Sequence, residues 1–232
     1  AELAEMLCSR TGAKKVFFSN SGAEANECAI KIARKYSFDK YGAGRDKILT
    51  LKNSFHGRPV KTLSATGQDV FHNYFFPFTD DFSYAPANDI DAVREALEQG
   101  GYCAVMFEFI QGEGGVVPLE QDFVKALFGY CRAHDILTVA DEVQTGIGRT
   151  GTLLTSEQFG VQPDVTTLAK GLGGGLPIGA ALVNEKTMDV FSFGDHGTTF
   201  GANPVVCAGA YSALSRIADP AFLANVRKKG ER

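Results

Sequence analysis

The feature that most limits the folds open to this chain is a regular alternation of short apolar runs with amphipathic ones. Cys103-Ala-Val-Met-Phe107 is continuously apolar and Ile136-Leu-Thr-Val-Ala140 nearly so. Runs of that length suit strands covered on both faces, as in a parallel sheet. Around them, Asp89 to Gln99 places Ile90, Val93 and Leu97 on one helical face and closes at Gly100-Gly101, and Phe123 to His134 is a second amphipathic stretch. Upstream the order is a strand at Val16 to Phe18, a helix from Ala23 to Tyr36 and a strand at Ile48 to Leu51. Downstream come strands at Asp164 to Leu168 and Ala180 to Val183, then a helix from Val205 to Ala218. Strands alternating with helices predict an α/β fold, a mostly parallel sheet sandwiched by helices, with its ligand site at the carboxyl ends of the strands. The direct glycine-rich connection Gly171 to Pro177 predicts one antiparallel strand pair. Val70 to Pro86, rich in Phe, Tyr and Pro, lacks periodicity and reads as an irregular covering loop.

Charge and cysteine usage narrow the function. The formal net charge is −4, and Lys and Arg are scattered rather than striped, which argues against a nucleic-acid partner. No apolar run approaches the roughly 18 residues that cross a bilayer, and no secretory h-region is present, so no membrane partner and a cytoplasmic location are expected. The five cysteines, Cys8, Cys28, Cys103, Cys131 and Cys207, are far apart and never in a C-x-x-C pair, and the four histidines show no ligand spacing. Reduced, packed thiols and no metal site follow.

The chemistry-bearing residues collect at strand ends. Ser19-Asn-Ser-Gly22 joins a strand to a helix, where free N–H groups and the helix dipole favour an anion. Ser21, Gly22 and Ala23 are the phosphate candidates; the alternative is that Ser19 or Ser21 only caps the helix. Phe55 and His56 stand at the end of the Ile48 to Leu51 strand, where an aromatic face could stack on a planar ligand or belong to the core. Arg58 is either a solvated charge or a bidentate carboxylate clamp. Glu108 and Glu113 follow the Cys103 to Phe107 strand.

Asp141 ends one apolar run and Lys170 the next. That is the pair a pyridoxal phosphate enzyme needs, the lysine amine forming a Schiff base and the aspartate keeping the pyridine nitrogen protonated. A lysine with so little polar company is expected to be desolvated, which favours the neutral nucleophile. The alternatives are a turn-capping aspartate and a surface lysine. Gly146-Ile-Gly-Arg-Thr-Gly151 matches a dinucleotide fingerprint, with Asp164 near the place of a ribose-binding acid. The Asp141-Glu142 pair stands where pyrophosphate would be repelled, and Asp164 begins a strand rather than ending one. An NAD(P)-dependent dehydrogenase is therefore the lesser reading.

Six motifs occur in order: Ser19-Asn-Ser-Gly-Ala-Glu-Ala-Asn26, Phe55-His-Gly-Arg58, Glu108-Phe-Ile-Gln-Gly-Glu113, Ala140-Asp-Glu-Val-Gln-Thr-Gly146, Ala169-Lys-Gly171 and His196-Gly-Thr-Thr-Phe-Gly201. In these the chain resembles the class III, ornithine aminotransferase-like, pyridoxal phosphate aminotransferases over nearly its whole length. The resemblance implies the large domain of a fold type I transferase, with pyridoxal 5'-phosphate as cofactor. Lys170 and Asp141 would be catalytic. Ser21, Gly22 and Ala23 would hold the phosphate, Phe55 and Val143 would sandwich the ring, and Gln144 would approach its phenolic oxygen, with Glu142 in the same cofactor-binding group. Arg58, Thr198, Glu108 and Glu113 would face substrate, Arg58 as clamp for a distal carboxylate and Glu113 as a gate that pairs with an arginine. Thr199 would reach the cofactor phosphate of a neighbouring subunit, which implies a homodimer.

The implied reaction moves the ω-amino group of N-acetylornithine or ornithine to 2-oxoglutarate; 4-aminobutyrate or another ω-amine is the alternative substrate. Phe109, Pro59, Phe200 and Ala202 depart from the residues usual in that family. Residues 1–232 are expected to be the cofactor-binding large domain without the family's N-terminal segment and C-terminal small domain, since the chain begins and ends within helical stretches. A catalytically inert cofactor-binding fragment is the remaining alternative.

Overall fold

The structure is a computed structural model that describes residues 1–231. Among these the strands are β1 (Lys15–Ser19), β2 (Lys47–Leu51), β3 (Phe82–Ala85), β4 (Tyr102–Phe107), β5 (Ile110–Gln111), β6 (Val117–Pro118), β7 (Leu137–Asp141), β8 (Val165–Leu168) and β9 (Gly179–Val183). The helices are α1 (Glu2–Thr11), α2 (Gly22–Tyr41), α3 (Val60–Ala65), α4 (Ile90–Glu98), α5 (Gln121–Ala133), α6 (Ser156–Phe159), α7 (Pro204–Ile217) and α8 (Pro220–Gly230). One seven-stranded sheet has the order β1-β9-β8-β7-β4-β2-β3, and β5 and β6 form a small separate hairpin. Pairings from β3 through β8 are parallel, whereas β9 runs antiparallel to both β8 and β1. The expected mostly parallel sheet between helices is the observed one.

Side-chain alternation along the strands builds the two apolar layers. Ala104 and Met106 of β4 and Leu137 and Val139 of β7 pack with Cys28, Ala29 and Ile32 of α2. On the opposite face Val105, Phe107 and Ala140 meet Val93 of α4 and Val124 and Leu127 of α5. Farther along that face, Leu168, Ala180 and Leu182 pack with Leu7 of α1 and Leu214 of α7. The period-two pattern then decides what reaches the carboxyl edge on the α2 side. After Val139 it is Asp141, and after Met106 it is Glu108. Phe107 and Ala140 are register partners, so those two carboxylates arrive side by side.

The helix α2 starts where the sequence places an anion turn. Ser21 is its N-cap, with Oγ accepting from the Glu24 N–H at 3.2 Å, a bond worth about 1 kcal/mol. Gly42, at φ 77°, ends it five residues beyond the expected Tyr36.

Four local features differ from the sequence reading. The stretch read as a covering loop contains β3, which pairs with β2 at the sheet edge; four residues are too few to show alternation among so many aromatics. Pro59 is the N-cap of a short helix, α3, which no apolar periodicity in the sequence marks. The segment between Glu108 and Leu119 folds back as the β5–β6 hairpin. The antiparallel connection at β8–β9 is as expected, but β1 adds a second antiparallel pair, which no local signal marks.

Candidate active site

Asp141 is buried at the end of β7 and is surrounded by donors. Its Oδ2 accepts from Asn26 Nδ2 of α2 at 2.8 Å and lies 2.8 Å from His56 Nδ1, while Oδ1 accepts from the Val143 N–H at 3.0 Å. Asn26 is fixed in turn by Thr167 Oγ1 of β8, which donates to its Oδ1 at 2.7 Å. Asn26 also donates to the His56 carbonyl at 2.7 Å. The carboxylate therefore has its direction set from three elements before any ligand arrives.

Glu108 lies beside it, with Oε2 accepting from the Phe55 N–H at 3.0 Å. Burial pushes its carboxyl up to about 7; the His56 and Lys170 charges pull it down, and Asp141 pushes it up. Burial alone would lower His56, but its bond to Asp141 and the nearby Asp141 and Glu108 carboxylates outweigh that and leave it raised.

In front of Asp141 opens a cleft of about 810 Å³. Lys170, Val143, Gln144, Phe55 and the Ser21-Gly22-Ala23 turn all line it. The N–H groups of Gly22 and Ala23, in the first turn of α2, have no partner among the described residues. Gly22 cannot be larger without moving Val143, since a Cβ there would stand 2.7 Å from Val143 Cγ1. Gly112 is pressed in the same way against the Gln144 side chain.

Lys170 stands at φ 40°, a strained value for a residue with a Cβ, on a 3₁₀ turn at Lys170–Gly173. It is exposed in the open cleft rather than desolvated, because this turn lifts it beyond the buried end of β8. Arg58, also exposed, lines the cleft with its guanidinium 5.9 Å from the Phe55 ring centroid, and Glu113 is another lining residue.

Residues 1–232 match the family described as Aminotransferase class-III. The chain belongs to the class-III aminotransferases. It is 54% identical over 232 residues to an acetylornithine aminotransferase of Haemophilus ducreyi, covering 100% of this chain and 59% of that protein. It is 46% identical over 227 residues to a succinylornithine transaminase of Citrobacter koseri, covering 98% of this chain and 56% of that one. Among solved structures, the ornithine aminotransferase of Toxoplasma gondii superposes with a TM-score of 0.94 at 35% identity, over 99% of this chain and 55% of its own. The chain thus spans about 59% of the length of the Haemophilus relative.

Class-III aminotransferases use pyridoxal 5'-phosphate, and the cleft residues of this one fit that group. A glycine cradle against Val143, two unpartnered N–H groups at a helix N-terminus, a preset carboxylate and a strained lysine face one space. Ser21 serves as a helix cap as well as standing beside the anion turn. Among the described residues no cluster suited to a metal ion occurs, and no helix is long and apolar enough to cross a membrane.

Three residues expected at the site lie outside the cleft lining of this class-III chain. Glu142 points to the opposite side of the strand, where its carboxylate accepts from the N–H groups of Thr155 at 2.6 Å and Ser156 at 2.9 Å. Alternation along the strand requires this once Asp141 faces α2. Thr198 accepts from Asn20 Nδ2 at 3.1 Å and borders a neighbouring pocket together with the exposed Thr199. The Gly146 to Gly151 run carries no dinucleotide role: Gly148 packs against Ile217 of α7 and Leu223 of α8, and the Gly151 carbonyl accepts from Arg227 of α8.

The sequence placed His56 only beside the aromatic face of Phe55 and gave no role to Asn26. A signal for Asn26 was available, because with Ala29 and Ala33 it falls on the apolar stripe of α2, where an amide needs buried partners.

Proposed function

We propose that the protein is a pyridoxal phosphate-dependent aminotransferase acting on N-acetylornithine, with 2-oxoglutarate as amino acceptor, and that residues 1–232 form its cofactor-binding large domain. The observation that carries the reading is a single cleft holding Lys170 and an Asp141 carboxylate preset by His56, Asn26 and the Val143 N–H. The names of the Haemophilus and Citrobacter relatives favour an N-acylated ornithine over ornithine or 4-aminobutyrate.

When bound, pyridoxal phosphate supplies an electron-withdrawing ring that takes up the electron pair left as the substrate carbon loses its proton. Asp141 would hold a proton on the ring nitrogen, and its fixed donors would spare it from reorganising during the reaction. The N–H groups of Gly22 and Ala23, with Ser21 alongside, would bind the phosphate at the positive end of α2. Phe55, Val143 and Gln144 line the cleft, where the first two would sandwich the ring and Gln144 would reach its phenolic oxygen. Lys170 would hold the cofactor through its amine, and that amine is the group in the cleft that could carry a proton to and from the substrate carbon.

Arg58 would clamp the substrate's distal carboxylate by a bidentate pair, and Thr198, on the neighbouring pocket, is the second substrate residue proposed. Glu113 shields an arginine from elsewhere in the protein until glutamate requires it. Glu108, held by the Phe55 N–H, faces the substrate from the cleft lining. Thr199 reaches the phosphate held by the partner subunit of a cytoplasmic homodimer.

The test is visible absorption of lysine-bound cofactor on adding pyridoxal phosphate to the full-length protein and to Lys170→Ala. The variant should show none of that absorption, and its turnover should fall by about 10⁴-fold. Colour that survives the substitution sinks the proposal. Comparing turnover of N-acetylornithine, N-succinylornithine, ornithine and 4-aminobutyrate then fixes the amine, and a preference for 4-aminobutyrate would overturn the substrate assignment alone.

A further inference from the structure

The loop that carries Thr198 and Thr199 is exposed from Gly197 to Phe200, and helix α2 holds it at both ends. At one end Glu24 Oε2 accepts from the Asn20 N–H at 2.6 Å and from Asn20 Nδ2 at 3.0 Å, and Asn20 Nδ2 also donates to Thr198 Oγ1 at 3.1 Å. Thr198 Oγ1 accepts from the Gly201 N–H as well, at 3.2 Å. At the other end Lys31 Nζ donates to the Asp195 carbonyl and stands 3.1 Å from His196 Nδ1. Glu24 and Lys31 are two helical turns apart, so both lie on one face of α2.

An ammonium has donors only, which decides the state of the ring. Nδ1 must accept, and the proton of the neutral imidazole then stands on Nε2. The ring packs against Phe17 of β1 and against Phe191, at centroid separations of 4.7 Å and 5.7 Å. The Asp195 carboxylate is engaged elsewhere, accepting from the Ser192 N–H at 2.7 Å. Lys31 therefore grips two neutral acceptors, a carbonyl and a ring nitrogen.

That grip exists in one protonation state only, because a protonated ring loses the acceptor and sets a second cation against Lys31. The charged groups around His196 are Lys31 and Glu24 of α2, with Lys35 of the same helix reaching Asp195 and Glu27 bordering the same pocket; from β1 it meets the uncharged Phe17. Burial and the Lys31 charge push the ring's pKa down, and Glu24 pulls it partly back. The contact is complete above the ordinary histidine range and is lost as pH falls through the lowered folded value.

We propose that Lys31 and a neutral His196 form a latch that fixes the Thr198–Thr199 loop to α2. The helix whose first turn faces one cofactor phosphate then also presents the threonine that reaches the partner's. Lys31 and His196 are positioning residues, and the use of the loop at a phosphate rests on the aminotransferase reading.

The test uses full-length protein without cofactor and follows amide hydrogen exchange at Ser192, Asp195 and Gly201, whose N–H groups are all bonded within this segment. Rates, corrected for intrinsic pH dependence, are compared at about pH 8 and about pH 5, on either side of the ordinary histidine value. Lys31→Met keeps the stem and removes the donor, so exchange at the higher pH should rise about tenfold, the worth of one hydrogen bond to a charged group. Lys31→Arg should restore most of the protection. Wild type should show the same rise on acidification. His196→Asn, whose side-chain carbonyl takes the place of Nδ1 without titrating, should show none. Equal exchange in wild type and Lys31→Met, an acid-side rise absent from wild type, or one that persists in His196→Asn would each overturn the latch. The histidine comparison decides the matter even if Lys31→Met fails to fold. With cofactor added at the higher pH, Lys31→Met should raise the half-saturating pyridoxal phosphate concentration by about tenfold. Loosened exchange with an unmoved half-saturation would keep the latch and defeat the assignment of Thr199 to the partner's phosphate. A wild type that takes up no pyridoxal phosphate would instead defeat the aminotransferase reading.

Discussion

Asp141 and Glu142 are adjacent carboxylates at the end of one strand, and alternation along β7 sends them to opposite sides of the sheet. On the α2 side, Asp141 meets Asn26, His56 and the Val143 N–H, yet still borders the cleft. On the other side, Glu142 is closed off from solvent and bonded to the N–H groups of Thr155 and Ser156. Those bonds tie the loop that begins at Val143 and Gln144 back onto its own strand. Two chemically similar residues thus divide the labour: one presents a charge to a ligand, the other fastens the loop that surrounds it. The difference lies in what each side of the sheet supplies, since α2 begins at the open cleft edge and the opposite face is covered by a returning loop.

The largest expected effect that sharpens this contrast comes from Asp141→Asn in the full-length protein. An amide keeps the shape but loses the charge, and turnover should fall by about 10³-fold, as for other losses of preset electrostatic stabilisation. The thermal midpoint should move little by comparison. Steady-state kinetics and a melting curve check both halves, and a variant that keeps wild-type turnover would remove Asp141 from the chemistry.

Glu142→Gln should reverse the pattern. One of the two backbone N–H groups loses its charged acceptor, at a cost of about 1–3 kcal/mol, read from denaturant midpoints, while colour at saturating cofactor persists. The pH dependence adds a sign. Burial raises the Glu142 carboxyl, with the Ser156 and Thr155 bonds pulling it partly back. Its contribution to stability is therefore fully present below the ordinary carboxylate range and is lost as pH rises through the raised folded value. The variant should lack that slope. Loss of cofactor uptake with unchanged stability would break the comparison.

The division between the two sides was partly legible in the sequence. Continuous apolar runs gave the parallel sheet, and Asp141 and Lys170 stood out because each ends such a run. What one dimension could not display was the facing of Glu142, which depends on the phase of a five-residue strand fixed only by packing against α2. His56 and Asn26 escaped for a related reason. Their importance lies in bonds to Asp141 from residues 85 and 115 positions away in the chain. The exposure of Lys170 was likewise set by a 3₁₀ turn with positive φ, for which Ala-Lys-Gly gives no local signal. Thr198 and Thr199 border a neighbouring pocket in the single chain, so their role at the cofactor stays tied to the proposed subunit partner.

Two glycines provide the smallest and most direct way to separate the sides. A Cβ at Gly22 would stand 2.7 Å from Val143 Cγ1, facing the cleft, and one at Gly148 would stand 2.5 Å from Ile217 Cγ2 beneath the opposite layer. Gly22 begins α2 with a compatible backbone, so alanine there gains slightly in helix propensity while pushing Val143 towards the ring site. Gly148 lies at φ 79°, where any Cβ is strained, and its neighbours belong to the packed ends of α7 and α8. Gly148→Ala should therefore cost about 1–3 kcal/mol of stability through strain and overpacking, with the cofactor half-saturation unchanged. Gly22→Ala should cost less stability than Gly148→Ala, about 1 kcal/mol, because no backbone strain is added and helix propensity offsets part of the overpacking, yet it should raise the half-saturating cofactor concentration several-fold. Equal losses of stability in both variants, with equal cofactor binding, would mean that the cleft side is packed for the fold alone.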